Sequence, residues 1–146
     1  MSTGAQPGKL SNVPYETLEV GRRFGPYLES VDAALADSLR VEVGSPTPGS
    51  VAPPAVFPIL FLRALRRSMG GIPAGSILAG QEVYLEKPLP VDGEVSIETW
   101  VADKTEKKTR RFVVIEFEIR DGEGDLVGGG TKTIIWPRGA EGGGDG

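Results

Sequence analysis

Chemistry at a protein site needs groups that move protons, bind metal or attack as nucleophiles, and this sequence carries few of them. In 146 residues there is no histidine and no cysteine. Imidazole, the commonest general acid/base, is therefore missing. With it go the Ser-His-Asp triad, histidine and thiolate metal sites, and disulfides. We expect no metal and no cofactor. The acids closest in sequence before the proline-rich residues 44–55 are Asp32, Asp37 and Glu42. A carboxylate needs burial to work as a base near neutral pH, and Asp37 and Glu42 read as exposed helix residues. The hydroxyls Ser45, Thr47 and Ser50 fall in residues 44–55, which hold four prolines and two glycines. Together with Pro53 and Pro54 they either line a ligand channel or form a stiff crossover with no ligand.

Cations group more clearly. Arg63, Arg66 and Arg67 share one face of an apolar segment. They suit phosphates or an acidic protein surface, or they are a solvated face paired with Glu82, Glu86 or Glu98. Residues 104–111 carry five positive charges and one negative in a chain of net charge −4. That reversal, ending in Arg110 and Arg111, reads equally as an anion-attracting patch or as a charged hairpin tip that resists edge pairing. Trp100, Trp136 and Tyr84 lie in strand-like segments and suit core or dimer packing.

These groups are positioned by a recognisable order of elements. Residues 25–30 suit a short strand and 32–39 a helix, with Ser30 or Asp32 as cap; residues 40–43 extend it or begin an extended piece. Residues 56–69 suit a buried helix, with Pro58 tolerated in the first turn and Gly70-Gly71 ending it. Alternation then predicts an antiparallel meander of four strands over 77–87, 95–103, 112–120 and 126–136. Asp92-Gly93 and residues 121–125 mark turns. Residues 104–111 read as a charged connection. Glycines early in the last strand point to a bulge or a close backbone approach. One buried helix and one long sheet make an α+β domain, the antiparallel sheet wrapped around the helix.

Composition bounds the rest. Glycine (21) and proline (12) are abundant, yet 39% hydrophobic residues still allow a core. We expect one domain over 13–138, with residues 1–12 a disordered arm and 139–146 a disordered Gly-rich tail. No apolar run is long enough for a membrane span, the N-terminus lacks a signal-peptide layout, and the acidic balance disfavours nucleic acid. A cytoplasmic protein is expected.

Three segments, in order and spacing, resemble the MaoC-like hydratase/dehydratase family of the hot-dog fold. They are Ala52-Pro53-Pro54 leading into Val56-Phe57-Pro58-Ile59-Leu60, the turn at residues 86–94 (Glu-Lys-Pro-Leu-Pro-Val-Asp-Gly-Glu), and the hairpin at residues 121–127 (Asp-Gly-Glu-Gly-Asp-Leu-Val). The resemblance implies a single hot-dog domain binding an acyl-CoA or acyl-ACP (acyl carrier protein) thioester, with the acyl chain along the buried helix at a dimer interface. It implies hydration or dehydration across the C2–C3 bond by an Asp and a His on the loop before that helix. Backbone N–H groups at the helix start would polarise the thioester carbonyl, here those of Val56 and Phe57, unless these two residues only pack the core.

This sequence departs from that pattern. Residues 44–62 contain no ionisable side chain, so the dyad is absent and no catalytic residue is assigned. The chain is similar to the non-catalytic subunit of heterodimeric 3-hydroxyacyl-thioester dehydratases. Ser45, Thr47, Ser50, Pro53, Pro54, Val56 and Phe57 are then candidate substrate contacts. Arg63, Arg66, Arg67, Arg110 and Arg111 are candidate contacts for phosphate or carrier. The partner is either a catalytic hot-dog subunit or a second copy. The alternatives are a self-contained thioesterase, isomerase or cyclase using a carboxylate, and a non-catalytic acyl-binding homodimer.

Overall fold

The computed structural model describes residues 13–43 and 51–138, without the side chains of 40–43. A 3-10 turn (Tyr15–Thr17) leads to β1 (Arg23–Ser30), α1 (Ala33–Val43), α2 (Val56–Met69), β2 (Ile77–Leu85), β3 (Glu94–Lys107), β4 (Arg110–Asp121) and β5 (Leu126–Trp136). The expected arm and tail, and the loop hydroxyls Ser45, Thr47 and Ser50, lie outside the described residues.

Helix α1 starts where Asp32 accepts the Leu35 N–H on its Oδ1 at 2.8 Å. That is the side-chain cap its position suggests. Helix α2 starts without a side-chain cap and stops at Gly70, whose φ of 76° most residues resist. Its buried face, Val56, Phe57, Leu60, Phe61, Ala64 and Leu65, packs on β1 and β3. Burying each large side chain is worth about 1.5–3 kcal/mol, and this supplies what an uncapped helix lacks.

The five strands form one antiparallel sheet in the order β1-β3-β4-β5-β2. With its concave side turned to α2, this is a hot-dog domain. Val95, Ile97, Thr99 and Val101 of β3 face α2 beside Val113, Ile115, Phe117 and Ile119 of β4, all buried. The period of two along a half-buried sheet requires this alternation. Thr99 is the one buried polar residue among those described, and its hydroxyl donates to the Glu116 carbonyl at 2.7 Å. The Phe61 and Phe117 rings stack with centroids 4.1 Å apart.

Three expectations change. Residues 104–111 are not a connection. Lys104–Lys107 pair with Arg110–Val113, so β3 and β4 run on to a tight turn at Lys108-Thr109. β2 does not join β3 in a meander; it crosses to the far side and pairs with β5. β1 begins at Arg23, because Gly25 (φ 102°) accommodates an irregularity between Phe24 and Tyr27 that would otherwise end the strand. Among the described residues no helix is long and apolar enough to cross a membrane.

Candidate functional site

The site begins where the chain enters α2. Val51 bridges to Pro90 and the Ala52 N–H donates to the Leu89 carbonyl at 2.8 Å. This fastens the proline-rich loop to the turn at residues 86–94. That turn is in turn clamped to the β4–β5 hairpin: Lys87 Nζ lies 2.7 Å from Asp121 Oδ2 and 3.6 Å from Asp125 Oδ2. All three segments that carried the family resemblance therefore meet. Between them lies an open cleft of about 510 Å³ lined by Val51, Lys87, Pro90, Glu94, Asp121 and Glu123, among others.

Two ionisable groups of the cleft, Lys87 and Asp121, are tied to each other. Asp121 Oδ1 accepts the Glu123 and Asp125 N–H groups at 2.9 and 3.0 Å. The hydrogen bond from Lys87, aided by these N–H groups, holds its carboxyl below the usual carboxylate range. The same contact raises the Lys87 ammonium. Asp121, Glu123 and Asp125 are close enough to share a cation, but the Lys87 ammonium already supplies the positive charge to two of them.

The start of α2 is equally closed. The Val56 N–H donates to the Pro53 carbonyl and the Phe57 N–H to the Pro54 carbonyl, both at 3.0 Å, and Pro58 has no N–H. The donors expected to face a thioester carbonyl are thus used within the turn. Val56 and Phe57 are buried, as is Pro53; Pro54 is exposed. Among the early carboxylates, Asp32 is spent on its helix cap, Asp37 is exposed and has a partner, and the Glu42 side chain is outside those described.

The arginines are not one patch. Arg63 and Arg67 reach Glu29 of β1 at 3.2 and 3.0 Å, not Glu82, Glu86 or Glu98. Arg67 also donates to the Leu28 carbonyl and lies over the Tyr27 ring. Arg66 is exposed. Arg110 and Arg111 sit apart from them, at the tip of the β3–β4 ribbon. Arg111 has a side chain only 12% exposed, bonded to Glu16 and Glu106 beside the Tyr15 ring. It fastens the N-terminal turn to the sheet, while Arg110 remains exposed.

The glycines of β5 are a close approach. A Cβ on Gly128 would lie 2.5 Å from a Phe57 ring carbon, and one on Gly130 would lie 2.8 Å from the Phe117 ring. Trp136 is buried, its indole N–H donating to the Val13 carbonyl at 2.9 Å. Trp100 lies on the outer face under the Arg23 guanidinium. Tyr84 shares that outer face, its hydroxyl over Gly129.

One residue escaped the sequence reading. Lys132 shares the parity of Gly128, Gly130, Ile134 and Trp136, which face α2. It is half-buried, its Nζ 5.4 Å from the Phe61 ring centroid. No carboxylate among the described residues pairs with it, and burial holds its ammonium below the ordinary lysine range. Counting by twos back from the core residue Trp136 would have found it. Its neighbour in register is Gln81 of β2. That edge strand leaves Ile77, Leu78, Val83, Tyr84 and Leu85 exposed.

No family model matches the sequence, and no curated protein matches it. Solved structures do match. The chain is similar to a MaoC-like dehydratase from Rhodospirillum rubrum (TM-score 0.70, 24% identity, covering 86% of this chain and 98% of that one). It is also similar to an (R)-hydratase from A. caviae involved in PHA biosynthesis (0.68, 21%, 84% and 99%). A third match is the HadBC (3R-hydroxyacyl-ACP dehydratase) complex from Mycobacterium tuberculosis (0.65, 16%, 80% and 96%). At these identities the likeness establishes the hot-dog fold.

Proposed function

We propose that this chain is a MaoC-like subunit of an acyl-thioester hydratase/dehydratase, acting on a 3-hydroxyacyl or enoyl group carried by coenzyme A or an acyl carrier protein. It works beside a hot-dog partner that bears the Asp and His. The observation that carries this reading is the start of α2. In a fold whose similar structures include hydratases and dehydratases, the segment leading into the central helix has no ionisable side chain over residues 44–62, and the Val56 and Phe57 N–H groups are already bonded. Removing a C2 proton and protonating a leaving hydroxyl needs a base and an acid, which the partner supplies.

The contribution of this chain is half of the enclosure. Its exposed apolar edge, β2, is the side left to be covered, and a paired edge also removes a template for aggregation. Pro53, Pro54, Val56 and Phe57 then shape the wall of the acyl channel, and Ser45, Thr47 and Ser50 are proposed substrate contacts on sequence grounds alone. Arg66 and Arg110 are the exposed cations for phosphate or carrier; Arg63, Arg67 and Arg111 act mainly as fold contacts.

The test is isolation of the protein from its own cells under mild conditions, followed by native mass spectrometry. The expected species contains a second, different chain carrying an Asp and a His ahead of its central helix. A complex made only of this chain contradicts the proposal.

A further inference from the structure

The inference rests on the edge-pairing reading above and concerns which chain can occupy that edge. β2 and α2 leave an open strip beside β5. On the α2 side of the sheet, register with β5 places Leu78, Gln81, Val83 and Leu85 of β2 next to Lys132. Leu78, Val83 and Leu85 are 55%, 40% and 49% exposed. Lys132 is the charge in this strip. Helix α2 brings no acid, and its Arg63 and Arg67 turn to Glu29 on β1, at the opposite edge of the sheet. Of the acids of the neighbouring strands, Glu82, Glu116 and Glu118 align with Thr131 and Gly129 and so occupy the opposite face of the sheet; Asp121, on the α2 side, ends β4 far along the strand from Ile115, the neighbour of Lys132 in register, and is held by Lys87.

A second copy meets this strip badly. Isologous antiparallel pairing of β2 with itself at full overlap sets Gln81 against Gln81. The two Lys132 residues then stand three strand spacings apart, about 14 Å, on the same side of the joined sheet. Among the described residues the copy contributes apolar side chains and its own Lys132 there, and no anion. Closing the seam would strip more water from two half-buried ammonium groups that face like charge. Burying an unpaired charge is costly, whereas a carboxylate opposite it turns the same contact favourable.

We infer that the β2 edge is built to pair with a chain other than its own copy: a hot-dog partner whose edge strand presents a carboxylate to Lys132 on the helix-bearing side of the joined sheet.

The first test is self-association of the purified full chain by sedimentation equilibrium, comparing wild type with Lys132→Met and Lys132→Gln. The wild type should associate weakly, and more tightly as salt is added. Both variants should associate roughly tenfold more tightly at low salt, the order expected for two charges at this spacing near a surface. The polar Gln variant guards against a pure packing effect of Met.

The second test mixes isotope-labelled wild type with Gln81→Glu, which places a carboxylate two strand spacings from the other chain's Lys132. Native mass spectrometry of the equimolar mixture should show the mixed dimer well above the half of all dimers that random pairing gives. Equal self-association constants for wild type and both Lys132 variants, or a statistical mixture with Gln81→Glu, overturns the inference. Neither measurement uses a thioester or the natural partner, so such a failure leaves the proposed activity standing, and a failure of that activity leaves these results standing.

Discussion

The Phe57 ring lies across Gly128, filling the space a side chain at that position would take. It is the packing contact that lets the start of α2 settle onto β5. A Cβ at residue 128 would lie 2.5 Å from Phe57 Cε2 and would also meet the Tyr84 carbonyl on the neighbouring strand. The ring can turn only within a packed core, and the β2–β5 ladder cannot yield without losing its hydrogen bonds. Gly128→Ala is therefore expected to destabilise the fold by about 1–3 kcal/mol, the cost of overpacking. Urea unfolding checks it, with the midpoint lowered. Gly122→Ala, where nothing lies within 4 Å, should change little.

The Lys87–Asp121 pair gives a signed pH dependence. The Asp121 carboxyl is held below its ordinary range in the native state by Lys87 and by the Asp125 and Glu123 N–H groups. In the unfolded chain it returns to about 3.9. Between those values the unfolded chain binds more protons, so stability rises with pH. The contribution is fully present above the unfolded value and is lost as pH falls through it toward the lowered native one. Asp121→Asn should be less stable than wild type at neutral pH, and the difference should shrink on acidification. Urea midpoints measured across the acid range check this.

Glu29 links β1 to α2 through two arginines. Its side chain is 14% exposed, while Arg63 and Arg67 are 39% and 47% exposed. Solvent reaches the arginines, so the pair is worth less than a buried bridge. Glu29→Gln is expected to cost about 1 kcal/mol, and less at high salt. Thermal unfolding at two ionic strengths checks both parts.

Lys132 makes the opposite prediction. Its ammonium is held below the ordinary lysine range by burial alone, so the charge disfavours the native state below that lowered value. Stability rises as pH climbs from there toward the ordinary lysine value. Lys132→Met should raise the thermal midpoint of the isolated chain by a few degrees at neutral pH, and the gain should diminish in alkali. Differential scanning calorimetry across that range checks it.

Much of this fold is legible from the residues. The inward rows Val95 to Val101 and Val113 to Ile119 announce themselves by strict alternation, because each strand has one face on the core. The stop of α2 at Gly70 and the cap at Asp32 are equally plain. The β3–β4 tip is not. Residues 104–111 project beyond the core, so both faces are polar and the alternation vanishes while the ladder continues. The turn also lacks glycine, with Lys108 itself at φ 56°. The pairing of Glu29 with Arg63 and Arg67 depends on packing between distant segments, which no local pattern encodes. At the site, the lack of ionisable side chains over residues 44–62 is plain in the sequence. The occupied N–H groups of Val56 and Phe57 are not, since they depend on how Pro53 and Pro54 fold back. Lys132 was hidden because a lysine in a strand is ordinarily read as an outward residue.

The central claim is that this chain holds an acyl thioester without transforming it. The most direct measurement is hydration of crotonyl-CoA by the purified chain alone, followed through loss of the enoyl absorbance, and then with its Asp/His-bearing partner added. The account predicts no rate above the uncatalysed one for the chain alone, and turnover on reconstitution. Turnover by this chain alone would contradict it.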